Sequence, residues 1–352
     1  MSLLSYQTLP TAAEGAADRR ARLAQLASTL GPLVGLVFVF TLFTVMVWSR
    51  TGRLSFLTMT NLEVILLQTA VVGIAALGMT LIIISGGIDL SVGSNIALVT
   101  VVVALMLRET ADPQTFASPM WAAPLAVVTG ILAATAIGGV IGLLITQLRL
   151  SPFIATLGMW GAVRGLAKGL GNEQTVQAPE TWVNELLRLL RPDERWMIFT
   201  PGVWIMLVLA LLVAGMLRYT RFGRHIFAIG SNEQTARLCG VPVARTKILI
   251  YLTAGALAGV AGLLQFSGLT MGDPTTANGL ELNIIAAVVI GGASLSGGQG
   301  SILGTIIGAL IMSVVAKGSS AMGWRNWHQE IITGGIIILA VTLDQLRQRR
   351  ST

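Results

Sequence analysis

The chain has 352 residues, 54% of them hydrophobic and 11% charged, with a net charge of +7 and a mean hydropathy of +0.77. That composition excludes a soluble globular domain. The positive balance does not call for nucleic acid, because the bases stand between apolar segments, where they act as orientation signals. One cysteine, Cys239, permits no internal disulfide, and with only His225 and His328 beside it no zinc-ligand spacing exists. No nucleophile–base pair or metal cluster is present, so no catalytic residue and no resident cofactor is expected, and the chain reads as a non-enzyme.

In chain order, residues 1–30 carry Glu14, Asp18, Arg19, Arg20 and Arg22 before any apolar run. This is not the layout of a cleaved leader, so Leu33 to Trp48 is expected as a retained first span. Strong apolar spans follow near 63–85, 120–147, 203–217, 246–267 and 329–343, with the first near 31–48. Weaker ones lie near 92–107, 152–166, 284–292 and 301–317, of which 152–166 and 284–292 are short enough to be half-helices. The expected fold is all-α and polytopic, with about ten membrane-spanning or half-spanning helices in a lipid bilayer. A membrane domain over 31–346 then lies between tails at 1–30 and 347–352, with loops at 218–247 on one side and 167–200 on the other.

With both termini inside, inner segments hold 13 of the 23 bases but only four of the 16 acids. That bias fits the positive-inside rule. Trp48, Trp121, Trp196, Trp204, Trp324 and Trp327 then fall at outer ends of spans, where indoles favour the interface. Small-residue spacings at Gly300/Gly304/Gly308, Gly161/Gly165/Gly169 and Gly255/Gly259 are expected to serve packing within the chain.

The stretch from Gly78 to Asn95, GMTLIIISGGIDLSVGSN, is an apolar run halted at Ser85-Gly86-Gly87, with Asp89 following inside membrane-grade sequence. Freed backbone groups and a carboxylate are both costly in lipid unless they are partnered or line a cavity. The break recurs: Gly291-Gly292-Ala293-Ser294-Leu295-Ser296 aligns with Gly86-Gly87-Ile88-Asp89-Leu90-Ser91 at an offset of 205. Paired interrupted segments signal a transporter with an internal repeat, here a weak one. Ser85, Asp89, Ser91, Ser94 and Asn95 form the best polar cluster at membrane depth, and helix capping by Asp89 or Ser91 competes evenly with a role in lining a solute path. Trp160, Ser294 and Ser296 join them as candidates for that path.

Residues 295–299 read LSGGQ, the letters of an ATPase signature. None of Lys168, Lys247 or Lys317 follows a glycine, so no phosphate-cradling loop exists, and the glycines are assigned to a tight turn. In the loop 218–247, Asn232 is a plausible N-cap, with Thr235 to Leu238 helical and Gly240 and Pro242 ending the helix. Such a helix fits either a partner's cleft or a solvated connector. In the outer loop, Trp182, Val183, Leu186, Leu187 and Leu190 fall on one helical face opposite Asn184, Glu185 and Arg188. That pattern predicts a helix lying on the outer surface.

The stretches LGMTLIIISGGIDLSVGS (77–94), SPFIATLGM (151–159), GRHIFAIGSNEQTARLCGVPV (223–243) and ELNIIAAVVIGGASLSGGQGSILGTIIGALI (281–311) resemble permease subunits of bacterial ABC importers, nearest the ribose/xylose/galactose-type sugar permeases. The resemblance runs from about residue 60 to 345, except that the loop around 182–196 departs from the pattern. It implies a multi-pass protein of the bacterial inner membrane, paired with a second permease subunit, identical or sister. It also implies a cytoplasmic ABC ATPase that binds ATP and Mg and hydrolyses the ATP, and a periplasmic or lipid-anchored sugar-binding protein. The family's ATPase-coupling helix maps onto Asn232, Glu233, Thr235, Ala236, Arg237, Leu238 and Gly240, which shifts the reading of that loop toward the partner's cleft. The implied cargo is a monosaccharide. Branched-chain amino acids or nucleosides are the alternative within the same machinery, and an ion-coupled secondary transporter using Asp89 is the rival of a different class.

Overall fold

The structure, a computed structural model, describes residues 12–349, with side chains from 31 to 342 and at Gln345. The tails expected at 1–30 and 347–352 lie outside the described residues, apart from the helical backbone at 12–30 and 347–349. The elements in order are α1 (Ala12–Thr51), α2 (Met59–Ile84), α3 (Val92–Thr110), α4 (Ala122–Gln147), α5 (Pro152–Leu170), β1 (Val176–Gln177), α6 (Pro201–Tyr219), α7 (Arg221–Ser231), α8 (Glu233–Leu238), α9 (Val243–Leu269), β2 (Met271–Gly272), α10 (Leu280–Ile290), α11 (Ile302–Ala321) and α12 (Asn326–Arg349). Among the described residues, seven segments are long and apolar enough to cross a membrane: those of α1, α2, α3, α4, α6, α9 and α11.

α2 is the central post, with 89% of its apolar span buried, whereas the α1 span is 11% buried and presents its side chains outward. The helices meet through glycine, as expected where there is little hydrophobic drive between helices and close backbone approach supplies the attraction. A Cβ on Gly138 of α4 would stand 2.2 Å from the Tyr251 carbonyl oxygen of α9, and one on Gly255 would stand 2.6 Å from the Ala134 carbonyl oxygen. Gly78 likewise brings α2 onto Ala254. Gly304 and Gly308 bring α11 onto the backbone of Gly291 and Ala287. The Gly300 and Gly255 series therefore serve packing within the chain. The Gly161/Gly165/Gly169 series differs: a Cβ on any of the three would meet no neighbouring element within 4 Å, because that side of α5 faces away from the bundle.

Two expected half-helices separate on inspection. α5 has 19 residues, about 28 Å of helix and the length of a full crossing, although it is not among the seven segments apolar enough for one. α10 has 11 residues, about 16 Å and only half of one. The other half of that crossing is non-helical chain, the two-residue strand β2 followed by turns over 274–279. After Thr270 in the left-handed region, β2 pairs antiparallel with β1 (Val176 with Gly272, Gln177 with Met271). The chain then descends along α3 from Thr100, whose hydroxyl accepts from Asp273 N, to Gly93, which abuts the Ala277 carbonyl and the Glu281 carboxylate.

The predicted surface helix over 182–190 is absent. A single turn at Trp182–Glu185 is closed by Thr181 and Asn184, and a second turn occupies Pro192–Met197. The reason is backbone competition. The Leu186 carbonyl accepts from Gly202 N at 2.8 Å, and Leu190 N donates to the Glu63 carboxylate, so the bond that would continue a helix from 186 to 190 is replaced at both ends. Val183 is fully buried, which makes this segment in part a packing element.

Candidate functional site: the interrupted helices and the α8 end

Both helix breaks are the same backbone device. At the end of α2, Gly86 lies at φ 81° while Gly86 N donates to Ile83 O and Gly87 N to Ile82 O, each at 2.9 Å. At the end of α10, Gly292 lies at φ 92° while Gly292 N donates to Val289 O at 2.9 Å and Ala293 N to Val288 O at 3.1 Å. Each is a Schellman C-cap, in which a left-handed glycine lets two orphan carbonyls be satisfied inside the protein. The geometric register is Gly86 with Gly292, one residue away from the letter alignment of Gly86 with Gly291. Letters align glycine pairs, whereas the motif needs glycine only at its left-handed position, so Ser85 and Gly291 are the equivalent C-cap residues.

The polar cluster after the first break is inward-facing and largely self-satisfied. Asp89 Oδ1 accepts from Ser91 N at 2.8 Å and from Ser91 Oγ at 2.6 Å, holding the start of α3. Ser85 Oγ donates to Ile82 O, and Ser94 Oγ donates to Trp160 O of α5 at 2.8 Å. Asn95 Nδ2 donates to Ala134 O of α4 at 3.3 Å, leaving its Oδ1 without a protein partner among the described residues. All five, Ser85, Asp89, Ser91, Ser94 and Asn95, are buried. Ser294 and Ser296 belong instead to the turn after the second break, where Ser294 N donates to Gln299 O and Gly297 N to Ser294 O. Gly297 at φ 87° and Gly298 at φ 73° make that turn possible, which is the structural use of the LSGGQ letters.

A second buried polar group was not singled out from the sequence. Arg164 of α5 donates through Nη1 to the carbonyls of Pro274 (3.0 Å) and Thr276 (2.6 Å), tying the non-helical half of the α10 crossing to α5. Its Nε and Nη2, the Trp160 Nε1 and the Glu281 Oε2 are all buried without a protein partner among the described residues. The available signal was an arginine inside the apolar stretch 152–166, since ionisable side chains at membrane depth mark functional positions.

At the end of the bundle reached by α2 and α10, the chain folds α7 and α8 across the termini of α6 and α9. Thr220 caps α7 through Gly223 N, and Ile226 and Ile229 bury its apolar side. The 222/226/229 spacing is legible in the sequence and escaped notice. Asn232 Oδ1 accepts from Thr235 N at 2.9 Å, so the predicted N-cap is present, and Gly240 at φ 82° before Pro242 ends α8. Glu233 is bonded by Lys247 Nζ of α9 at 2.7 Å and by Arg237 Nη2 at 3.2 Å. The Lys247 hydrogen bond, above all, holds the Glu233 carboxyl below its usual range. Ala236 faces inward, whereas Leu238 is 88% exposed, a large apolar side chain held out at the tip of a pinned helix.

The comparisons with known proteins follow from this architecture. Residues 61–341 match the family model described as branched-chain amino acid transport system / permease component. The chain is 39% identical to the ribose import permease protein of Escherichia coli strain K12, over 84% of this chain and 88% of that one. It is 36% identical to the ribose import permease protein of Bacillus subtilis strain 168, over 90% and 92%. It is 35% identical to the L-arabinose ABC transporter permease protein of Azospirillum brasilense, over 84% of each. No solved structure matches the chain. With a family match over residues 61–341 and sugar permeases among relatives of more than 30% identity over most of both chains, the chain belongs to this family of ABC transporter permeases, among its sugar permeases.

Proposed function

We propose that the chain is the membrane-spanning subunit of an ATP-driven importer that moves a monosaccharide across the bacterial inner membrane. ATP and Mg are bound and hydrolysed by a partner ATPase on the cytoplasmic side, and a binding protein delivers the sugar outside. The observation that carries this is α8: six residues, capped by Asn232, stapled to α9 through Glu233–Lys247, and presenting Leu238 outward. A helix this short is unstable alone, so its pinning fits a rigid knob for a partner's cleft better than a connector. The α8 end then faces the cytoplasm, with both termini on that side.

A second permease subunit completes the pathway, and the open side of α5 along Gly158, Gly161 and Gly165 is where we place it. Ser85, Asp89, Ser91, Ser94, Asn95, Trp160, Ser294 and Ser296 remain the candidates for contact with the sugar. The two bonds from Ser91 onto one Asp89 oxygen favour a capping role there over an ion site. ATP drives the cycle because it and the sugar bind the outward- and inward-open states with different affinity.

The test is a mild-detergent pull-down of the tagged chain from its native membranes with mass spectrometry. Recovery of an ABC ATPase, lost when Glu233 and Arg237 are both replaced by alanine, is the expected result. Recovery of the chain alone, with uptake that persists when no ATPase is present, overturns the reading.

A further inference from the structure

Three segments remote in sequence meet backbone to backbone beside α8. Gly298 N, in the turn after the second break, donates to the carbonyl of Ile84, the last helical residue before the first break, at 2.8 Å. Gly230 of α7 is wedged against both: a Cβ there would stand 1.7 Å from Ile84 O and 2.6 Å from Gly298 N. From the other side, a Cβ on Gly297 would stand 2.7 Å from Gly230 O, and one on Gly298 would stand 3.2 Å from Ser231 Cα. No side chain separates the three strands of backbone. Gly230 is two residues before the cap of α8, and Asn232 N donates back to Ala228 O, so α7 and α8 are joined without slack.

We propose that this glycine junction is the element that transmits displacement of α8 to both interrupted helices at once. The proposal rests on the reading of α8 as the ATPase contact. Close-packed interiors transmit strain because they have no free volume to absorb it. Here the contacting atoms are main-chain, which cannot yield by changing rotamer. A push on α8 that moves Gly230 must move Ile84 and the 297–298 turn with it. From Ile84 the displacement reaches the Schellman cap at 84–87 and the Asp89–Ser91 start of α3. From Gly298 it reaches the cap at 290–293, where α10 and α11 meet at Gly291 and Gly304. The second anchor of α7, where a Cβ on Gly223 would stand 2.2 Å from Leu217 O, keeps the α6–α7 corner rigid, so the motion is not lost there. A bundle joined through side chains would let the two breaks respond separately; this geometry makes them respond together.

The experiment is hydrogen–deuterium exchange on the intact permease–ATPase complex in lipid nanodiscs, with and without a non-hydrolysable ATP analogue. Peptides covering 82–91, 226–239 and 291–300 are expected to change protection together when the analogue binds. A change confined to 226–239 overturns the proposal. In the Gly230→Ala complex the ATPase is expected to co-purify and 232–239 still to respond to nucleotide, while the response of 82–91 and 291–300 is lost. A Gly230→Ala complex in which all three segments respond as before also overturns it. If Gly230→Ala does not insert, the exchange pattern of the unmodified complex alone decides. Failure of any ATPase to co-purify with the unmodified chain counts against the proposed function, and is separable from an ATPase that binds without moving the two breaks.

Discussion

The pinning of α8 makes a quantitative prediction about ATPase affinity. The perturbation is Asn232→Ala combined with Lys247→Met, which removes the N-cap and the staple while leaving every exposed residue of α8 in place. Losing an asparagine cap costs about 1 kcal/mol. The Glu233–Lys247 bond is short, at 2.7 Å, but the Glu233 side chain is 41% exposed. Solvent screening therefore holds its worth to about 1 kcal/mol, the upper end for surface pairs. Together they contribute about 2 kcal/mol, up to roughly thirtyfold in the ratio of formed to frayed α8. Because apparent affinity scales with the fraction of binding-competent α8, ATPase affinity is expected to fall about tenfold, and by no more than roughly thirtyfold. Both changes act on the same six residues, so each single variant should lose less than half of the double variant's effect on a logarithmic scale. The assay is biolayer interferometry of purified ATPase on the permease in nanodiscs. A double variant that binds within about twofold of the unmodified chain refutes the argument that a preformed α8 is what the ATPase recognises.

Two further outcomes follow from the same geometry. Glu233 is held below its usual pKa by Lys247, so its stabilising contribution is present above the ordinary carboxylate range and is lost as pH falls through the lowered value. A spin label on Cys239, the chain's one cysteine and the exposed C-cap of α8, should therefore gain mobility on acidification below the ordinary carboxylate range, an effect absent from Glu233→Gln. Arg164→Leu should destabilise the bundle by about 3 kcal/mol, because it leaves the Pro274 and Thr276 carbonyls without their donor and removes the positive charge that offsets the buried Glu281. Glu281→Gln added to it should recover part of the loss; a neutral Arg164→Leu in micellar unfolding counts against this account.

Much of this was legible because membrane helices announce themselves by length and apolar content, and because capping is local chemistry. Asn232, Gly240 and Pro242 fixed α8 from seven letters of spacing, and Gly-Gly fixed both breaks. What escaped depends on partners remote in sequence. The helix expected over 182–190 has the right amphipathic pattern, yet Gly202 N takes the Leu186 carbonyl that helix needs. The Gly161/Gly165/Gly169 series has the same spacing as the Gly300 series, and only the fold shows that one meets backbone while the other meets nothing. Arg164 was visible as a charge in an apolar stretch, but its acceptors lie in the 274–276 chain, more than a hundred residues on.

The two breaks, built alike, differ in what the chain does after them. After the first Schellman cap, α3 starts within eight residues of Ile84, with Asp89 bonded to Ser91 at its threshold. After the second, the chain spends residues 294–299 on a closed turn before α11 begins at Ile302. That insertion is what lets Gly298 reach back to Ile84 and meet Gly230. The half-length of α10 completes the arrangement, because the chain above it is β2 and a run of turns, tied to its neighbours by Arg164, β1, Thr100 and Gln265. Turns over 274–279 carry no continuous helical ladder to resist bending, whereas α2 is a continuous 26-residue rod. The same push at the junction should therefore shift α2 as a rigid body but rearrange the α10 crossing at 273–280. The larger exchange response to nucleotide is expected at that turn segment, on the far side of the bundle from α8.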